Sequence, residues 1–190
     1  MTQSIKRIGE KNITAEELYK AVYKAMGFKK KVNRKVGISY IKENLVGETL
    51  IYHPIWLVKS LIVAARPPFR PKKIPRIIFV DAVSGYRGIF SHVPPIVDET
   101  VDSSQAVKPF LYNEEEIKPY VENVQEKQIN RQYVLKKPVH EVVETSLVHL
   151  PIYIVKVHSE EIEETFYING NTGESEKFLS ERWIGKKDLL

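Results

Sequence analysis

The chain of 190 residues contains no cysteine. This absence excludes disulfide bonds, thiolate metal sites and a cysteine nucleophile, and it is typical of a reducing interior, although a cysteine-free secreted bacterial protein would share it. Residues 1–7 carry no apolar run behind their charges, which is not the pattern of a signal peptide. The most apolar stretch, 45–65, contains Glu48 and Lys59 and is interpreted as a buried strand rather than a membrane helix. These absences predict a cytoplasmic protein, with association at a cell surface left open.

The chain also lacks the short patterns of common catalytic and metal sites. Its five histidines show no zincin spacing, and neither a phosphate-cradling glycine loop nor a nucleophile motif accompanies them. The histidines are His53, His92, His140, His149 and His158. We therefore predict no catalytic residue, no cofactor and no metal, and hence a protein that is not an enzyme. An enzyme with a cleft between two units stays an alternative, which a pocket with histidine and carboxylates in hydrogen-bond reach would support.

What the chain does contain is a repeated pattern. Residues 54–59 are Pro-Ile-Trp-Leu-Val-Lys, and residues 151–156 are Pro-Ile-Tyr-Ile-Val-Lys. A second signal follows each of them, because 80–85 and 168–173 both combine an Asp or Asn with a terminal glycine that permits a tight turn. Two matched signals in a fixed order predict a duplicated structural unit.

Each copy also begins with a predicted helix. Thr14 and Glu17 have the spacing of a capping box, and Asn113 holds the matching place in the second copy. An Asn-Arg pair then recurs at 33–34 and at 130–131, each 21 residues before the matched proline, and a structural role in a turn is favoured for it. The segments that follow are rich in β-branched and aromatic residues. The prediction is an α+β fold of two repeated units, each a helix packed on a small antiparallel β-sheet.

The two copies differ in charge. Residues 1–95 hold 18 Lys and Arg against 6 Asp and Glu, whereas residues 96–190 hold 11 against 18. The predicted domains are therefore a basic unit at 1–97, a polar linker at 98–106 and an acidic unit at 107–190. Surface charge can diverge while a core pattern is kept, so the contrast suggests that the first unit alone faces an anionic partner.

The first copy also contains an insertion. Pro54 precedes Asp81 by 27 residues, whereas Pro151 precedes Asn169 by 18. The extra residues fall in a segment at 66–76 that is rich in proline and basic side chains and contains no acid. The candidate binding residues in it are Arg66, Phe69, Arg70, Lys72, Lys73 and Arg76. Prolines limit the entropy lost when such a loop docks, and its cations can neutralise carboxylates, phosphates or lipid headgroups, although a solvated hairpin tip is the alternative.

A second basic run directly follows the first predicted helix. Its candidate binding residues are Lys29, Lys30 and Lys31. Cations at this place also stabilise the C-terminal end of a helix, which is an alternative account of the run. Together the two runs predict a cationic patch if the fold brings them to one face.

The repeated pattern resembles the PepSY family of small α+β modules. The residues that carry the resemblance are 151–155 with 167–174 and 54–58 with 79–85. The resemblance implies a module of the cell envelope or of secreted proteins, often linked to restraint of peptidases, with no catalytic residues. It covers about two thirds of each half of the chain.

The function predicted from these observations is a binding protein of tandem PepSY-like units that contacts an acidic protein through the loop at 66–76. Nucleic acid or an anionic membrane surface is the alternative partner for the same loop. A subunit of a structural assembly is a further alternative, and a homo-oligomer is left open.

Overall fold

The computed structural model describes residues 1–10, 12–27, 35–92, 94–186 and 188–190. Within these residues there are four α-helices, which are α1 (Ala15–Ala25), α2 (Ile38–Glu43), α3 (Glu114–Val124) and α4 (Lys177–Gly185). A π-helix (Gln125–Ile129) and a 3-10 helix (Asn130–Gln132) directly follow α3. Helix α1 begins with the predicted capping box, since Thr14 Oγ1 accepts from the Glu17 main-chain N–H and Glu17 accepts from the Thr14 main-chain N–H. Asn113 caps α3 in the same way, by accepting from the Glu116 N–H. No helix of the described residues is both long and apolar enough to cross a membrane.

Seven strands form one mixed sheet. They are β1 (Thr2–Ile8), β2 (Leu45–Arg66), β3 (Phe69–Asp81), β4 (Arg87–Phe90), β5 (Ile96–Asp102), β6 (Val139–His158) and β7 (Glu163–Asn169). The strand order is β4-β3-β2-β6-β1-β5, and β7 pairs with β6 beside this series. Residues 98–106, predicted to be the linker, contain most of β5 and the turn after it.

The prediction of two separate helix-on-sheet units is therefore wrong. Strands β2 and β6 are 22 and 20 residues long, and each runs through both of the compact units into which the chain divides. One unit comprises Met1–His53, Pro95–Val107 and His149–Glu181, and the other comprises Pro54–Pro94, Lys108–Val148 and Arg182–Leu190. We call them the α1 unit and the α3 unit. The fold is α+β, as predicted, but with a continuous sheet instead of two.

Each unit combines a helix from one copy of the repeat with a hairpin from the other copy. In the α1 unit, Leu18 and Val22 of α1 pack with Val155 of β6 and with Phe166 and Ile168 of β7. An amphipathic helix needs an apolar surface to cover, and the hairpin of either copy offers the same one. The helix of the first copy therefore covers the strands of the second copy.

The α3 unit shows the reverse exchange. Ile117 and Val121 of α3 pack with Trp56 and Val58 of β2 and with Ile78 of β3. The Trp56 indole N–H donates to the Leu111 carbonyl at 2.9 Å, so its polar atom is satisfied inside the core.

The repeated motifs occupy equivalent places in the two units. Ile55 pairs with Asp81 in the β2–β3 hairpin, and Ile152 pairs with Asn169 in the β6–β7 hairpin. In each hairpin, the N–H after this Asp or Asn donates to the carbonyl of the matched proline, at 3.1 Å to Pro54 and 2.8 Å to Pro151. The shared residues thus set the register of the hairpins and the turn beside them.

Candidate functional site

The basic segment predicted from the sequence forms the tip of the β2–β3 hairpin in the α3 unit. We call residues 66–76 the basic tip. Phe69 is 73% exposed, and Ile74 is the one partly buried side chain of the segment. The hydrophobic core covers β2 only as far as Ile62 and Ala64, so the hairpin continues past the core into solvent.

The strand register shows which of these side chains share a face. Cross-strand partners lie on the same face, and on β2 the partners Ser60, Ala64 and Arg66 belong to one alternating set. Their partners on β3 are Arg76, Lys72 and Phe69. The opposite face carries Lys73, which pairs with Val63.

A β-bulge brings the aromatic ring to the cationic face. Between the Ala64–Lys72 pair and the Arg66–Phe69 pair, one residue of β2 opposes two residues of β3. Strict alternation would place Phe69 and Lys72 on opposite faces, because they are three residues apart. The extra residue reverses the alternation, so Arg66 and Lys72 share the face of the exposed ring.

The basic tip differs from the rest of its hairpin in its ion pairing. Across the described parts of the chain, no carboxylate lies within 4.0 Å of Arg66, Arg70, Lys72, Lys73 or Arg76 as an ion-pair partner. Lys59, on the same hairpin closer to the core, is instead paired with Glu144 at 2.7 Å. The tip is thus a concentrated positive charge that the unit does not neutralise internally. Lys29, Lys30 and Lys31 lie outside the described residues.

The matching hairpin of the α1 unit has the opposite character. The β6–β7 hairpin is closed by a short turn in which the Ser159 N–H donates to the Ile162 carbonyl at 2.7 Å. Ile162 is 1% exposed and belongs to the core of this unit. Glu160, Glu161 and Glu163 are exposed around it. This tip is therefore acidic, short and held to its own core.

Sequence reasoning missed a groove of about 340 Å³ in the α3 unit, between α3 and the first half of β6. Val58, Ile117 and Val121 form its apolar floor, and all three are nearly fully buried. The residues that line its rim are Glu114, Glu115, Lys118, Glu122, Gln125, His140, Val142 and Thr145. A pattern in the sequence could not have shown the groove, because its two walls come from segments whose pairing is tertiary.

His140 is a partly buried ionisable group in the groove wall. Its Nε2 lies 2.9 Å from the side-chain oxygen of Asn130, and burial lowers the pKa of the imidazole. Asn130 belongs to the recurring Asn-Arg pair, and its main-chain carbonyl accepts from Lys137 at 2.9 Å. Asn130 thus joins the segment after α3 to the start of β6, and its predicted structural role stays a prediction, while Asn33 and Arg34 lie outside the described residues.

The α1 unit contains a buried polar cluster that the sequence did not reveal. Arg7 is 5% exposed and donates to Asn12 at 2.8 Å and to Asn171 at 3.1 Å, and its Nε lies 3.3 Å from Glu99. The Tyr52 hydroxyl donates to Glu99 at 2.9 Å, and burial followed by this carboxylate raises the pKa of Tyr52 to about 12. The cluster ties β1 and β5 to the turn at Asn171 and serves the fold.

Two histidines are also buried in this unit. His53 is 1% exposed and His149 is 8% exposed. Burial lowers the pKa of His149, and His53 lowers it further, while burial raises the pKa of Glu176. Within the described ranges, no three His, Asp or Glu side chains are grouped so that they could hold a metal ion.

The C-terminal segment packs on the α3 unit. The Trp183 indole N–H donates to Asp81 Oδ2 at 2.8 Å, while Asp81 Oδ1 accepts from the Val83 and Ser84 N–H groups. The Leu190 N–H donates to the Tyr120 hydroxyl at 2.9 Å. The turn of the repeated motif in this unit is therefore covered by a segment that follows α3 by more than 50 residues.

Comparison with known proteins found no match among protein-family models, curated proteins or solved structures. Guanidinium and ammonium groups that lack carboxylate neighbours attract anions, and an exposed aromatic ring between them adds apolar contact area.

Proposed function

We propose that this chain is a non-enzymatic binding protein whose basic tip contacts an acidic protein partner. The observation that carries the proposal is that five exposed cations extend past the core with no carboxylate in ion-pair distance among the described residues. Folding alone gives no reason to concentrate them, because like charges at close range repel. The PepSY-like motifs supply the scaffold in this proposal.

The shape of the tip supports binding without a large loss of entropy. Pro67, Pro68, Pro71 and Pro75 have fixed φ angles, and the paired strands hold the side chains between them. A preordered surface loses less conformational freedom on association than a flexible loop does. Prolines also deny main-chain N–H groups to a foreign strand, so recognition falls to the side chains.

An acidic protein segment fits this surface better than a long polyanion does. The cationic face of the tip includes Ile74, which packs on the core that α3 covers, so α3 lies on the same face of the hairpin. The first turn of α3 carries Glu114, Glu115 and Glu116. A nucleic acid extended along this face would meet these carboxylates, whereas a short acidic segment can end before them.

The test is a binding titration with a labelled polyglutamate peptide at low and high salt. We expect binding that weakens steeply with salt and that is lost when Arg66, Arg70, Lys72, Lys73 and Arg76 are all replaced by serine. The matched control replaces five exposed cations elsewhere and changes the net charge equally. Its residues are Lys108, Lys127, Arg131, Lys136 and Lys177.

The same variants are then tested with a DNA duplex and with vesicles of phosphatidylserine and phosphatidylcholine. Equal loss of polyglutamate binding in the tip variant and the control variant would show that only net charge matters, and would overturn the proposal. Tip-dependent binding to the duplex or to the vesicles that is tighter than binding to polyglutamate would replace the acidic protein with that partner.

A further inference from the structure

The groove of the α3 unit has the chemistry that the basic tip needs in a partner. Its apolar floor is formed by Val58, Ile117 and Val121, and its volume of about 340 Å³ is within the range of sites that enclose small groups. Glu114, Glu115 and Glu122 line the rim with exposed side chains and outnumber the one lysine there, Lys118. An occupant should therefore present an apolar side chain with cations around it.

The basic tip presents this combination on one face. Phe69 is 73% exposed, its cross-strand partner is Arg66, and Lys72 follows on the same face because of the bulge. An aromatic ring of this kind buries roughly 150–250 Å² when it enters a pocket. The cations beside it would then lie at the rim, where the carboxylates of the groove stand.

The acidic tip of the β6–β7 hairpin is a weaker match for the same surface. It offers Glu160 and Glu161, but its apolar residue, Ile162, is already buried in its own core. Exposed ion pairs contribute little to binding because water and salt screen them, whereas burying a phenylalanine side chain contributes several times as much. A site that accepts the ring together with the charges is favoured over one that accepts the charges alone.

The basic tip cannot reach the groove of its own chain. Val58 on the groove floor and Arg66 at the tip are eight residues apart on the same continuous strand, β2. At the usual rise of about 3.3 Å per residue, this separation is roughly 26 Å. A contact between tip and groove must therefore join two molecules.

We infer that the partner of the basic tip includes a second copy of this chain, whose acid-rimmed groove receives Phe69 and its flanking cations. The inference rests on the proposed function, since it names the acidic partner. Tip and groove are different surfaces, so the contact is heterologous: each molecule donates one tip and offers one groove. Association then continues from copy to copy as a ring or an open chain.

The test is sedimentation velocity of the full chain and its variants over a wide range of concentrations. The wild type should sediment faster as its concentration rises. Two variants are compared with it: Phe69→Ala, which changes the ring of the tip, and the triple variant Glu114→Gln, Glu115→Gln, Glu122→Gln, which changes the groove. Each should weaken self-association by more than about tenfold. Glu122→Gln alone, in the middle of α3, gives a milder variant that leaves the first helical turn unchanged.

Mixing variants gives the sharpest result. Phe69→Ala still has an intact groove, and the triple glutamine variant of the groove still has an intact tip. An equimolar mixture of these two variants should therefore form a dimer and nothing larger. The control Glu160→Gln, Glu161→Gln should associate like the wild type. A wild type that stays monomeric at every concentration, or a mixture that yields no dimer, would overturn the inference.

The two proposals can fail separately. A monomeric wild type that still binds polyglutamate through its tip would retain the proposed function and remove the second copy as partner. Polyglutamate binding that ignores the tip cations would remove the proposed function, and the mixing experiment would still decide whether tip and groove associate.

Discussion

The β2–β3 and β6–β7 hairpins share their base and differ at their tip. At the base, both place a proline and the following isoleucine opposite an Asp or Asn, with the same hydrogen bond closing the adjacent turn. At the tip, the β2–β3 hairpin extends past its core with cations that form no ion pair among the described residues, and the β6–β7 hairpin packs on its core through Ile162 with exposed carboxylates around it. The shared base thus sets the register of both hairpins, whereas the tips differ in role: one packs on its core through Ile162 and the other is the proposed binding surface.

The largest expected effect separates the two tips. Ile162→Ala should lower the free energy of unfolding by about 3 kcal/mol, because it opens a cavity in the α1 unit. Phe69→Ala should change it by less than about 0.5 kcal/mol, because the ring is exposed. Urea denaturation measures both variants. Equal losses of unfolding free energy in the two variants would mean that Phe69 is packed against a core.

The next largest difference is expected between alanine substitutions at the glycines of the two matched turns. Gly85 and Gly173 both have φ near +70°, at 75° and 72°, so alanine at either costs about 1–2 kcal/mol in backbone strain. A Cβ on Gly85 would also lie 2.6 Å from the Tyr120 ring, whereas a Cβ on Gly173 meets only Ala21, at 3.5 Å. Gly85→Ala should therefore destabilise the chain more than Gly173→Ala in the same denaturation assay. The opposite ranking would contradict the tight packing of the turn in the α3 unit.

Exchanging the polar residues of these turns should have a smaller effect. Asp81→Asn keeps an acceptor for the two main-chain N–H groups but directs an amide N–H₂ group at the Trp183 indole N–H. Because two donors then face each other, the free energy of unfolding should fall by about 1.5 kcal/mol. Asn169→Asp places a carboxylate against Glu176, to which Asn169 now donates at 2.8 Å. The free energy of unfolding that this variant loses should grow as pH rises, because Glu176 then loses its proton and the two carboxylates repel. A pH-independent cost would show that Glu176 does not face the introduced charge.

The smallest expected effect is a pH dependence specific to the α1 unit. Burial lowers the pKa of His149, so the unfolded chain binds a proton there more readily than the folded chain does. The unit should accordingly lose stability as pH falls below about 6.5, the usual histidine pKa, and keep it above that value. Replacing His149 with glutamine should flatten this slope in thermal melts at several pH values. A slope that survives His149→Gln would assign the titration to another group.

Local features could be predicted from the sequence where neighbours along the chain decide them. The capping box at Thr14 and Glu17, the cap at Asn113 and the equivalence of Pro54 with Pro151 are all confirmed. Each depends on contacts within a few residues or on a strand register that a proline and a turn residue set together.

The partner of each helix could not be predicted in this way. The apolar stripe of α1 fits either hairpin, because both hairpins carry the same pattern, and only the paths of β2 and β6 bring α1 to β7. The shared face of Phe69 and Lys72 depends on a bulge that alternation does not predict. The groove depends on the gap between α3 and β6, which no short segment encodes.

The exchange of helices also governs the order in which the protein can form during synthesis. Val22 of α1 leaves the ribosome 144 residues before Phe166, the β7 residue in the same core. At usual elongation rates this delay is roughly 7–30 s. During that time the apolar face of α1 can contact Val36 and Ile41 of the same core but not its native surface on β6 and β7. We therefore expect chaperones to bind the nascent chain until these two strands emerge.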